Sequence, residues 1–593
     1  MSPSQIIVLA TPVFLALIAI EYAVGRARGR DTYRFNDAVS SIGLGMLSQI
    51  SAVFTRLLRV GIYTAVFASV SLVQAPDFWT GPLGWLLALV FYDFCYYWLH
   101  RLGHTCALLW AAHVVHHQSE DYNLSTALRQ TSSGALLGWV FYLPMAVAGV
   151  PPLVFGVVAL VDLLYQYWIH TQQIGSMGRF DRVFASPSNH RVHHAVNDRY
   201  LDKNFGGVLM LWDHLFGSFQ AEDPAEPCVY GTRSPLRSWD PLWANLEVYA
   251  ALWRESRRAR RWGDRWRVWW KPPGWQSADM ALQAPRPAFD LSQVQRFAPS
   301  LPPDTQAFVA VQFLALIGGV GIFLWFTDGW PLWQSAVWFV VLLAGLWALG
   351  AVMQGRIRSL EALMIECGAL SMATAATGLT ALHRGFKPAM VVIALLAVAS
   401  AWRRARREFA PAKPPHDLAP RMRWLLAALL CSLAGDVALM FEGFFVPGLL
   451  AFLLAHLAYI ALLKKDAPWP SARRSTLVIA AVGILMLLVL FFGGLPAGLR
   501  GPVGVYVLAI ALMAALAWER AARLGDGPAK LVAAGAALFM VSDATLAIHR
   551  FVAPLPLASA WVLGTYGAAQ CLIVIGLLRS APTSTRAPVA AIR

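Results

Sequence analysis

Apolar runs of about 20 residues recur along the whole chain and constrain its fold more than any other feature. About 20 predominantly apolar residues form a helix long enough to cross a bilayer. The first run extends from about Gln5 to Val24, and others follow to the C-terminal end. Of the 593 residues, 58% are hydrophobic and 14% are charged, whereas a soluble domain carries about 25% charged residues. The sequence therefore predicts an all-α, polytopic integral membrane protein.

Basic residues stand in short loops beside these runs. Arg26, Arg28 and Arg30 follow the first run, so the positive-inside rule places them in the cytoplasm and the N-terminus outside. Because no basic residue precedes the first run, we interpret it as a retained helix. Alternating sides through the later runs gives about 15 transmembrane helices and a cytoplasmic C-terminus. The net charge of +15 then favours anionic lipid headgroups as partners over nucleic acid.

The order of the runs predicts two membrane domains. The first covers residues 1–355 and includes a long polar segment, about 171–303, at the cytoplasmic face. The second covers residues 356–580, and residues 581–593 form a cytoplasmic tail. Within the polar segment, WRESRRARRWGDRWRVWWK mixes arginine with tryptophan, which is typical of an amphipathic segment lying on a membrane surface.

Several local expectations accompany this organisation. The stretch from about Ser40 to Val73 is expected to form one crossing or two shorter segments, followed by a turn at Gln74–Pro82. A hairpin is expected from about Gly134 to Val150 and from Leu153 to Ile169, and a loop at Ala410–Pro420. The six cysteines have no paired spacing and predict no disulfide frame. The bias toward Ala, Arg and Pro favours a bacterial inner membrane.

Histidines are concentrated in one region of the first domain. Ten of the 14 fall between His100 and His214, in one H-x3-H and two H-x2-H-H patterns. Residues three and four apart share a helix face, so each pattern is expected to aim its imidazoles at one point. A structural zinc site takes four ligands, so eight or nine histidines predict a dimetal centre at the cytoplasmic membrane face. The candidate ligands are His100, His104, His113, His116, His117, His170, His190, His193 and His194.

An all-histidine dimetal centre favours iron that activates O2. Zinc has no redox chemistry and would leave only hydrolysis, whereas iron supplies one-electron and O2 chemistry. Carboxylates often orient ligand imidazoles from behind. The candidates for that role are Asp93, Glu120, Asp181, Asp202 and Asp213.

These histidine stretches resemble the fatty acid hydroxylase and sterol desaturase superfamily, and within it the alkylglycerol monooxygenase family. The resemblance rests on HRLGH, AAHVVHHQSEDYNLSTALRQ, YQYWIHTQQIG, SPSNHRVHHAVNDRYLDKNFGG and WDHLFGSF. It implies a diiron centre, O2, a tetrahydropterin or another electron donor, and a glyceryl ether as the lipid substrate. Hydroxylation of the ether-bearing carbon would give a hemiacetal that collapses to an aldehyde. His214 falls at a motif position where another residue type is expected, so it is excluded from the ligands.

Two carboxylates stand inside apolar helices of the second domain, Asp436 and Asp543. A carboxylate within a membrane is costly and usually functional. One of the two is expected to act as a general acid while the other activates water. The alternative is a structural polar pair that holds helices together.

This half resembles the YhhN-like lysoplasmalogenase family, from about Leu360 to Leu578. The stretches that carry the resemblance are FKPAMVVIALL, LLCSLAGDVALM, FVPGLLAFLLAHLAYI and ALFMVSDATLAIHRF. The family implies hydrolysis of the vinyl ether bond of lysoplasmalogens. The catalytic candidates that it implies are Asp436, Asp543, Lys387, His456, Tyr459 and Ser542.

Together the two resemblances predict a fused enzyme that degrades ether lipids. Its partners are membrane ether lipids, an alkylglycerol and a lysoplasmalogen among them, and an electron donor. The first alternative is a sterol or fatty-acyl hydroxylase or desaturase with a non-catalytic, lipid-binding C-terminal domain. A lipid transporter or scaffold and a zinc hydrolase are further alternatives.

Overall fold

The computed structural model describes residues 2–73, 76–408, 418–470 and 474–580. Across these ranges the chain is helical and has no strand, only two isolated β-bridges, Phe184↔Leu209 and Ala195↔Tyr230. It forms two compact units. The first runs from the N-terminus to Trp330 and includes Leu349–Gln354, and the second comprises Pro331–Ala348 and the chain from Gly355 onward. The predicted tail 581–593, most of the predicted loop Ala410–Pro420 and the first two residues of the predicted turn Gln74–Pro82 lie outside the described residues.

The first unit combines long apolar helices with many short ones. Its helices are α1 (Pro3–Ala27), α2 (Phe35–Arg56), α3 (Ile62–Val70), α4 (Pro76–Thr80), α5 (Pro82–Thr105), α6 (Ala107–His117), α7 (Leu124–Ala127), α8 (Gly134–Leu137), α9 (Leu143–Val147), α10 (Pro152–Trp168), α11 (Phe180–Val183), α12 (Pro187–His194), α13 (Leu211–Leu215), α14 (Pro241–Arg258), α15 (Trp262–Trp270), α16 (Ala278–Gln283) and α17 (Pro303–Phe326). A π-helical turn, Leu57–Gly61, joins α2 to α3, and a 3₁₀ turn, Gly138–Tyr142, joins α8 to α9.

The second unit consists of long helices around a large apolar core, with a smaller buried cluster of Leu490, Leu495 and Val503. Its helices are most of α18 (Leu332–Met353), α19 (Ser359–Ala376), α20 (Thr380–Glu408), α21 (Leu418–Ala438), α22 (Phe445–Leu463), α23 (Arg474–Gly493), α24 (Ala497–Leu524), α25 (Gly527–Phe551) and α26 (Ala558–Arg579). Buried side chains from seven of these helices, among them Val398, Leu429, Tyr459, Leu516 and Phe539, pack together in the core. Small residues allow α25 and α26 to approach each other closely. A Cβ added at Gly535 of α25 would lie only 2.9 Å from the carbonyl oxygen of Ala569 on α26.

Twelve helices in the described ranges are long and apolar enough to cross a membrane, which supports a multi-pass integral membrane protein. They are α1, α2, α5, α17, α18 and α20 to α26. This number is lower than the 15 expected crossings. The stretch Ser40–Val73 is interrupted by the π-helical turn, and only nine residues remain for α3. In the expected hairpin, the first arm breaks into short pieces around Gly138 and Pro144, and α10 has only 17 residues.

One sharp bend between helices positions the histidine region. Helix α5 ends at Thr105 and α6 begins at Ala107, while Cys106 between them is extended, with φ −122° and ψ 121°. The bend turns α6 back toward the end of α5. On its other side α6 packs against α14 and α15 through Ala107, Ala111, Leu252 and Val268. All six cysteines of the chain are free thiols.

Candidate functional site

Nine buried or half-buried histidines come together from four parts of the first unit. The last turns of α5 supply His100 and His104, and α6 supplies three more. His170 follows the end of α10, and the short helix α12 supplies the remaining three. Helix α12 has only eight residues, yet Pro187 starts it and the Ser186 hydroxyl accepts from the amide of Asn189. This capping box makes so short a helix well defined.

The first group contains five histidines whose ligand nitrogens all lie within 4.8 Å of one another: His100, His104, His113, His117 and His193. The Nε2 atoms of His117 and His113 are 3.0 Å apart, and those of His193 and His117 are 3.2 Å apart. Two nitrogens bound about 2.1 Å from one ion at a right angle lie about 3 Å apart. The buried Nε2 atoms of His100 and His104 have no protein partner. The group therefore fits one metal ion.

The second group contains four histidines with the same property: His116, His170, His190 and His194. The Nε2 atom of His170 lies 3.2 Å from that of His116 and 3.0 Å from that of His190. The Nε2 atoms of His190 and His194 are 3.2 Å apart. This spacing also fits one ion held by imidazoles.

The two H-x2-H-H patterns each contribute to both groups, which corrects the expectation that each pattern aims at one point. On α6, His113 and His117 face the first group and His116 faces the second. On α12, His190 and His194 face the second group and His193 faces the first. In each pattern, the two histidines four residues apart belong to the same group. The histidine between them, three residues after the first, belongs to the other group. The two groups are neighbours, since the His190 and His193 rings are 5.1 Å apart.

Backbone carbonyls hold four of the nine imidazoles through Nδ1. Because a carbonyl only accepts, Nδ1 carries the proton and Nε2 keeps its lone pair for a metal. The four Nδ1–O pairs are His100 with Phe205 at 2.8 Å, His116 with Arg129 at 2.9 Å, His170 with Gln166 at 2.7 Å and His193 with Lys203 at 3.0 Å. These acceptors carry no signal in the sequence, because any residue supplies a carbonyl.

Burial favours the neutral form of His116, His190 and His194. It lowers the pKa of His116 to about 4. Burial and the neighbouring imidazoles also lower the pKa values of His190 and His194 well below the ordinary value. Neutral imidazole is the form that binds a metal. Since burial has removed these groups from water, a bound metal ion would supply a partner for the converging Nε2 atoms.

Among the five carboxylates expected behind the ligands, Asp202 contacts one directly. Its Oδ1 lies 3.3 Å from Nδ1 of His104. Asp213 acts one step further away, because it accepts from the amides of Phe205 and Gly206 and so fixes the Phe205 carbonyl that receives His100. Burial raises the pKa of Asp213.

The other three carboxylates contact no ligand imidazole in the described structure. Asp93 accepts from the amides of Val208 and Leu209 and from the Trp212 indole. Asp181 accepts from Ser176 and from the Met177 amide. Glu120 accepts from the Phe297 amide and pairs with Arg34. The excluded His214 lies outside both groups, stacked on Phe219 with ring centroids 4.0 Å apart.

A second polar site lies inside the second unit, around Asp436. Lys387 Nζ is 3.3 Å from Oδ1 of this fully buried carboxylate, and the Tyr566 hydroxyl donates to Oδ2 at 2.6 Å. Gln570 Nε2 donates to the Tyr566 hydroxyl at 3.3 Å, and the Tyr459 hydroxyl donates to Gln570 Oε1 at 3.0 Å. Tyr566 and Gln570 were missed from the sequence, because they lie on α26, outside the stretches that carry the resemblance.

Asp543 belongs to a separate hydrogen-bonded chain. Tyr506 donates its hydroxyl to Asp543 and lies 3.0 Å from Nε2 of His456. His456 is itself fully buried, and its Nδ1 has no protein partner. Five of the six catalytic candidates thus join two polar chains. The sixth, Ser542, donates to the carbonyl of Val562 and joins neither chain.

The fold and the histidine groups define a polytopic membrane protein with two adjacent polyhistidine groups that could each hold a metal ion. The Fatty acid hydroxylase family matches residues 85–218, and the YhhN family matches residues 382–577. Alkylglycerol monooxygenase of Homo sapiens is 38% identical over 267 residues, which cover 45% of this chain and 59% of that protein. Alkylglycerol monooxygenase of Danio rerio is 33% identical over 368 residues, which cover 60% of this chain and 80% of that protein.

The second half has relatives of its own. Lysoplasmalogenase TMEM86A of Homo sapiens is 33% identical over 166 residues, which cover 27% of this chain and 68% of that protein. No solved structure matches the chain. The similarity to alkylglycerol monooxygenase over 80% of the Danio rerio protein shows that the chain belongs to the alkylglycerol monooxygenase family. A YhhN-type lysoplasmalogenase region is fused to it.

Proposed function

We propose that this chain is a bifunctional membrane enzyme that degrades ether lipids. The first unit is an O2-dependent diiron monooxygenase that cleaves the alkyl ether bond of glyceryl ethers, and the second unit hydrolyses the vinyl ether bond of lysoplasmalogens. The observation that carries the first activity is the convergence of nine histidines in two adjacent groups. The relatives named alkylglycerol monooxygenase and lysoplasmalogenase support the substrate classes.

The metal-binding residues of this proposal are the five histidines of the first group and the four of the second. The converging Nε2 atoms and the unpartnered Nε2 atoms of His100 and His104 support this assignment. Iron bound there would supply the one-electron and O2 chemistry of the reaction. Overall, one O2, two electrons and two protons convert the ether-bearing CH2 group to a hemiacetal and give one water. The electrons come from a tetrahydropterin or another donor.

The protein's own residues position and protect this chemistry. The carbonyls of Phe205, Lys203, Arg129 and Gln166 hold protons at the Nδ1 atoms and so orient the imidazoles. The burial of α12 keeps water from the histidines. Helix α5 crosses the apolar layer and ends at His100 and His104, so an alkyl chain lying in the membrane brings its ether carbon to the centre. The proposed orientation puts the metal centre and the C-terminus in the cytoplasm and the N-terminus outside.

The second activity rests on the two membrane-embedded acids. Hydrolysis of a vinyl ether needs a proton delivered to the alkene carbon and a base that activates water for addition to the other vinyl carbon. Asp436 and Asp543 provide the two carboxyl groups in separate surroundings, one beside Lys387 and the other beside Tyr506 and His456. Different surroundings let one carboxyl serve as acid and the other as base. The resulting hemiacetal collapses to a fatty aldehyde and the chain-free glycerophosphate ester that carried the headgroup.

Metal content and turnover of the purified full chain test the first activity. We expect about two irons per chain and aldehyde release from an alkylglycerol that stops without O2. His113→Ala is expected to abolish this release, while His214→Ala, which changes a histidine outside both groups, retains it. If the protein holds iron but converts only sterols or fatty acyl chains, the proposal that its substrate is a glyceryl ether is wrong. Zinc without O2-dependent turnover after iron reconstitution would contradict the oxygenase.

Lysoplasmalogen turnover tests the second activity independently. Asp436→Asn is expected to abolish aldehyde release from a lysoplasmalogen and to leave alkylglycerol cleavage intact. Glu442→Gln, which changes an exposed acid of the same unit, is the matched control. Unchanged lysoplasmalogen turnover in Asp436→Asn would favour a non-catalytic, lipid-binding role for this unit.

A further inference from the structure

A side-chain hydrogen bond connects α5, which carries His100 of the first group, to α10, which ends just before His170 of the second group. The Tyr96 hydroxyl on α5 donates to Gln166 Oε1 on α10 at 2.8 Å. Tyr96 stands four residues before His100 of the first group, and Gln166 stands four residues before His170 of the second. Since residues four apart lie one above the other on a helix, this bond lies one turn from His100 on α5. On the other side, His170 follows the end of α10, and its Nδ1 lies 2.7 Å from the Gln166 carbonyl oxygen. Both ends are therefore close to the histidines that they could position.

Each partner of this bond also contacts its ligand. The Gln166 carbonyl oxygen lies 2.7 Å from Nδ1 of His170. The Tyr96 ring lies 5.2 Å from the His100 ring, centroid to centroid. A shift of either helix would thus move a ligand imidazole, because the same residue holds the helix contact and the imidazole.

A buried carboxylate completes the arrangement. Gln166 Nε2 donates to Oδ2 of Asp162 at 2.7 Å, and Asp162 lies one turn earlier on α10. Asp162 is 2% exposed within an apolar helix, and its Oδ1 has no protein partner. A buried carboxylate oxygen without a hydrogen-bond partner is costly. Asp162 fixes the side-chain amide so that Oε1 faces Tyr96.

A glycine leaves room for this arrangement beneath the loop that supports His100. A Cβ added at Gly207 would lie 2.6 Å from Asp162 Oδ1 and 2.9 Å from Cδ1 of Tyr96. Two residues earlier, the Phe205 carbonyl receives His100 Nδ1. The loop, the two helices and one ligand of each group are therefore tightly packed around Tyr96, Gln166 and Asp162.

We propose that Tyr96, Gln166 and Asp162 form a positioning bridge that sets the separation of the two metal groups. The bridge deepens the proposed dimetal centre and rests on it. These are positioning residues, because the described contacts place them behind His100 and His170 rather than among the converging Nε2 atoms. A bridge that only joined helices would affect stability and leave the metals unchanged.

Variants that remove the bridge while leaving every histidine in place test this inference. Gln166→Leu removes both side-chain bonds and keeps the carbonyl that holds His170. Tyr96→Phe removes one hydroxyl. Asp162→Leu removes the oxygen that accepts from Gln166 Nε2, whereas Asp162→Asn keeps an amide oxygen that can accept this hydrogen bond. The matched control is Tyr63→Phe, which loses a buried hydroxyl bond of 2.8 Å to the Val150 carbonyl in the same unit.

The readouts are metal content, metal affinity and the magnetic coupling between the two irons of the full chain, measured by Mössbauer and electron paramagnetic resonance spectroscopy. We expect Gln166→Leu and Asp162→Leu to change the coupling and to lower metal affinity about 10- to 100-fold. Tyr96→Phe changes the coupling with both irons retained. Asp162→Asn and Tyr63→Phe keep the wild-type spectrum.

Two results would separate failure of the bridge from failure of the dimetal centre. If the wild type holds two coupled irons and Gln166→Leu has the same spectrum and affinity, the bridge is wrong and the centre stands. If the wild type holds no coupled pair after loading with iron or with cobalt(II), the dimetal centre is wrong and the bridge falls with it. Loss of thermal stability in Gln166→Leu equal to that in Tyr63→Phe, with unchanged metals, also overturns the bridge.

Discussion

His117 and His194 belong to different metal groups, yet their rings stack with centroids 4.4 Å apart and planes 26° apart. One comes from α6 and the other from α12, and each of these helices supplies both groups. The two groups are therefore in direct contact here through these two imidazole rings. Removing a histidine from α6 or α12 is therefore expected to disturb both groups. Removing a histidine that comes from another element is expected to disturb only its own group.

His170 is the ligand that allows one group to be emptied selectively, because it comes from neither α6 nor α12. His170→Ala leaves three histidines in the second group and five in the first. We expect iron to fall from about two to about one per chain, since four ligands make a complete site. Elemental analysis of the purified variant measures this. Loss of both irons, or retention of both, would contradict two separable groups.

Asp202 is expected to strengthen metal binding through His104. Its carboxylate lies 3.3 Å from His104 Nδ1 but is 44% exposed, so solvent screens the pair. Its φ of +55° lies in the left-handed region, where an alanine would be strained. Asp202→Gly therefore removes the carboxylate without strain, and we expect metal affinity to fall by about tenfold. Asp202→Asn, which keeps an acceptor and tolerates this backbone, is the control, and equal affinity of all three proteins in a chelator competition would exclude the role.

The histidine spacing predicts which residues take part but not how they are divided. An H-x2-H-H pattern fits either one shared point or two separate points. Only the bend at Cys106 and the packing of α12 decide that His116 and His193 turn away from their sequence neighbours. The acceptors of the Nδ1 protons are backbone carbonyls, which carry no sequence signal. Asp202 and Asp213 were both among the five candidate carboxylates, but the sequence did not separate them from the three that contact no ligand imidazole.

Membrane crossings were predictable in type but not in number. Apolar runs of full length correspond to helices in both units. The π-helical turn after Arg56 and the broken segment around Pro144 interrupt runs that are continuous in hydropathy. In the second unit, the acids stood out because they lie in apolar helices. Tyr566 and Gln570 did not stand out, because a tyrosine and a glutamine in a helix are common and only the fold places them against Asp436 and Tyr459.

Acid should destabilise the metal-free protein. The folded state holds the pKa of His116 at about 4, below its ordinary value of 6.5. Between pH 6.5 and 4 the unfolded chain therefore binds a proton that the folded chain does not, so the free energy of unfolding falls as the pH falls. The lowered pKa values of His190 and His194 act in the same direction. We expect the thermal midpoint of the chelator-treated protein to be steady above pH 7 and to drop below pH 6.5.

A His116→Gln variant provides the control for this pH dependence. It removes one titrating group, so its midpoint should fall less steeply with acid than that of the wild type. A wild-type midpoint that stays constant or rises between pH 6.5 and 5 would contradict the prediction.

Tyr566 should matter for vinyl ether hydrolysis although the sequence did not single it out. Its hydroxyl donates to Asp436 at 2.6 Å, and a hydrogen bond to a charged group contributes about 1.5 to 3 kcal/mol. Tyr566→Phe is therefore expected to lower kcat for a lysoplasmalogen about 10- to 100-fold. Tyr459→Phe removes a bond two steps further from the acid and should have a smaller effect. Equal effects of the two variants, or none, would show that Tyr566 does not support Asp436.

One face of α15 carries three exposed tryptophans. Trp262, Trp266 and Trp270 are 73%, 66% and 61% exposed and recur every fourth residue. The opposite face is buried through Val268 against α6. Residues 253–271 contain seven arginines and one lysine against two acids. The Arg265 guanidinium lies 4.7 Å from the Trp262 ring. Tryptophan favours the membrane–water interface and arginine favours anionic headgroups.

We therefore expect the exposed face of α15 to lie on an anionic membrane surface. A polarity-sensitive fluorophore attached at Trp266→Cys should shift its emission to the blue when the full chain enters vesicles of phosphatidylcholine with phosphatidylglycerol. The shift should be smaller in phosphatidylcholine alone and should decrease at high salt, because each basic residue near the surface adds about 1 kcal/mol of attraction that salt screens. Ser292→Cys, an exposed position of the same polar segment, should show no shift. Emission typical of water at position 266 in anionic vesicles would refute membrane contact, and a shift that appears only when a soluble protein is added would instead indicate a protein partner.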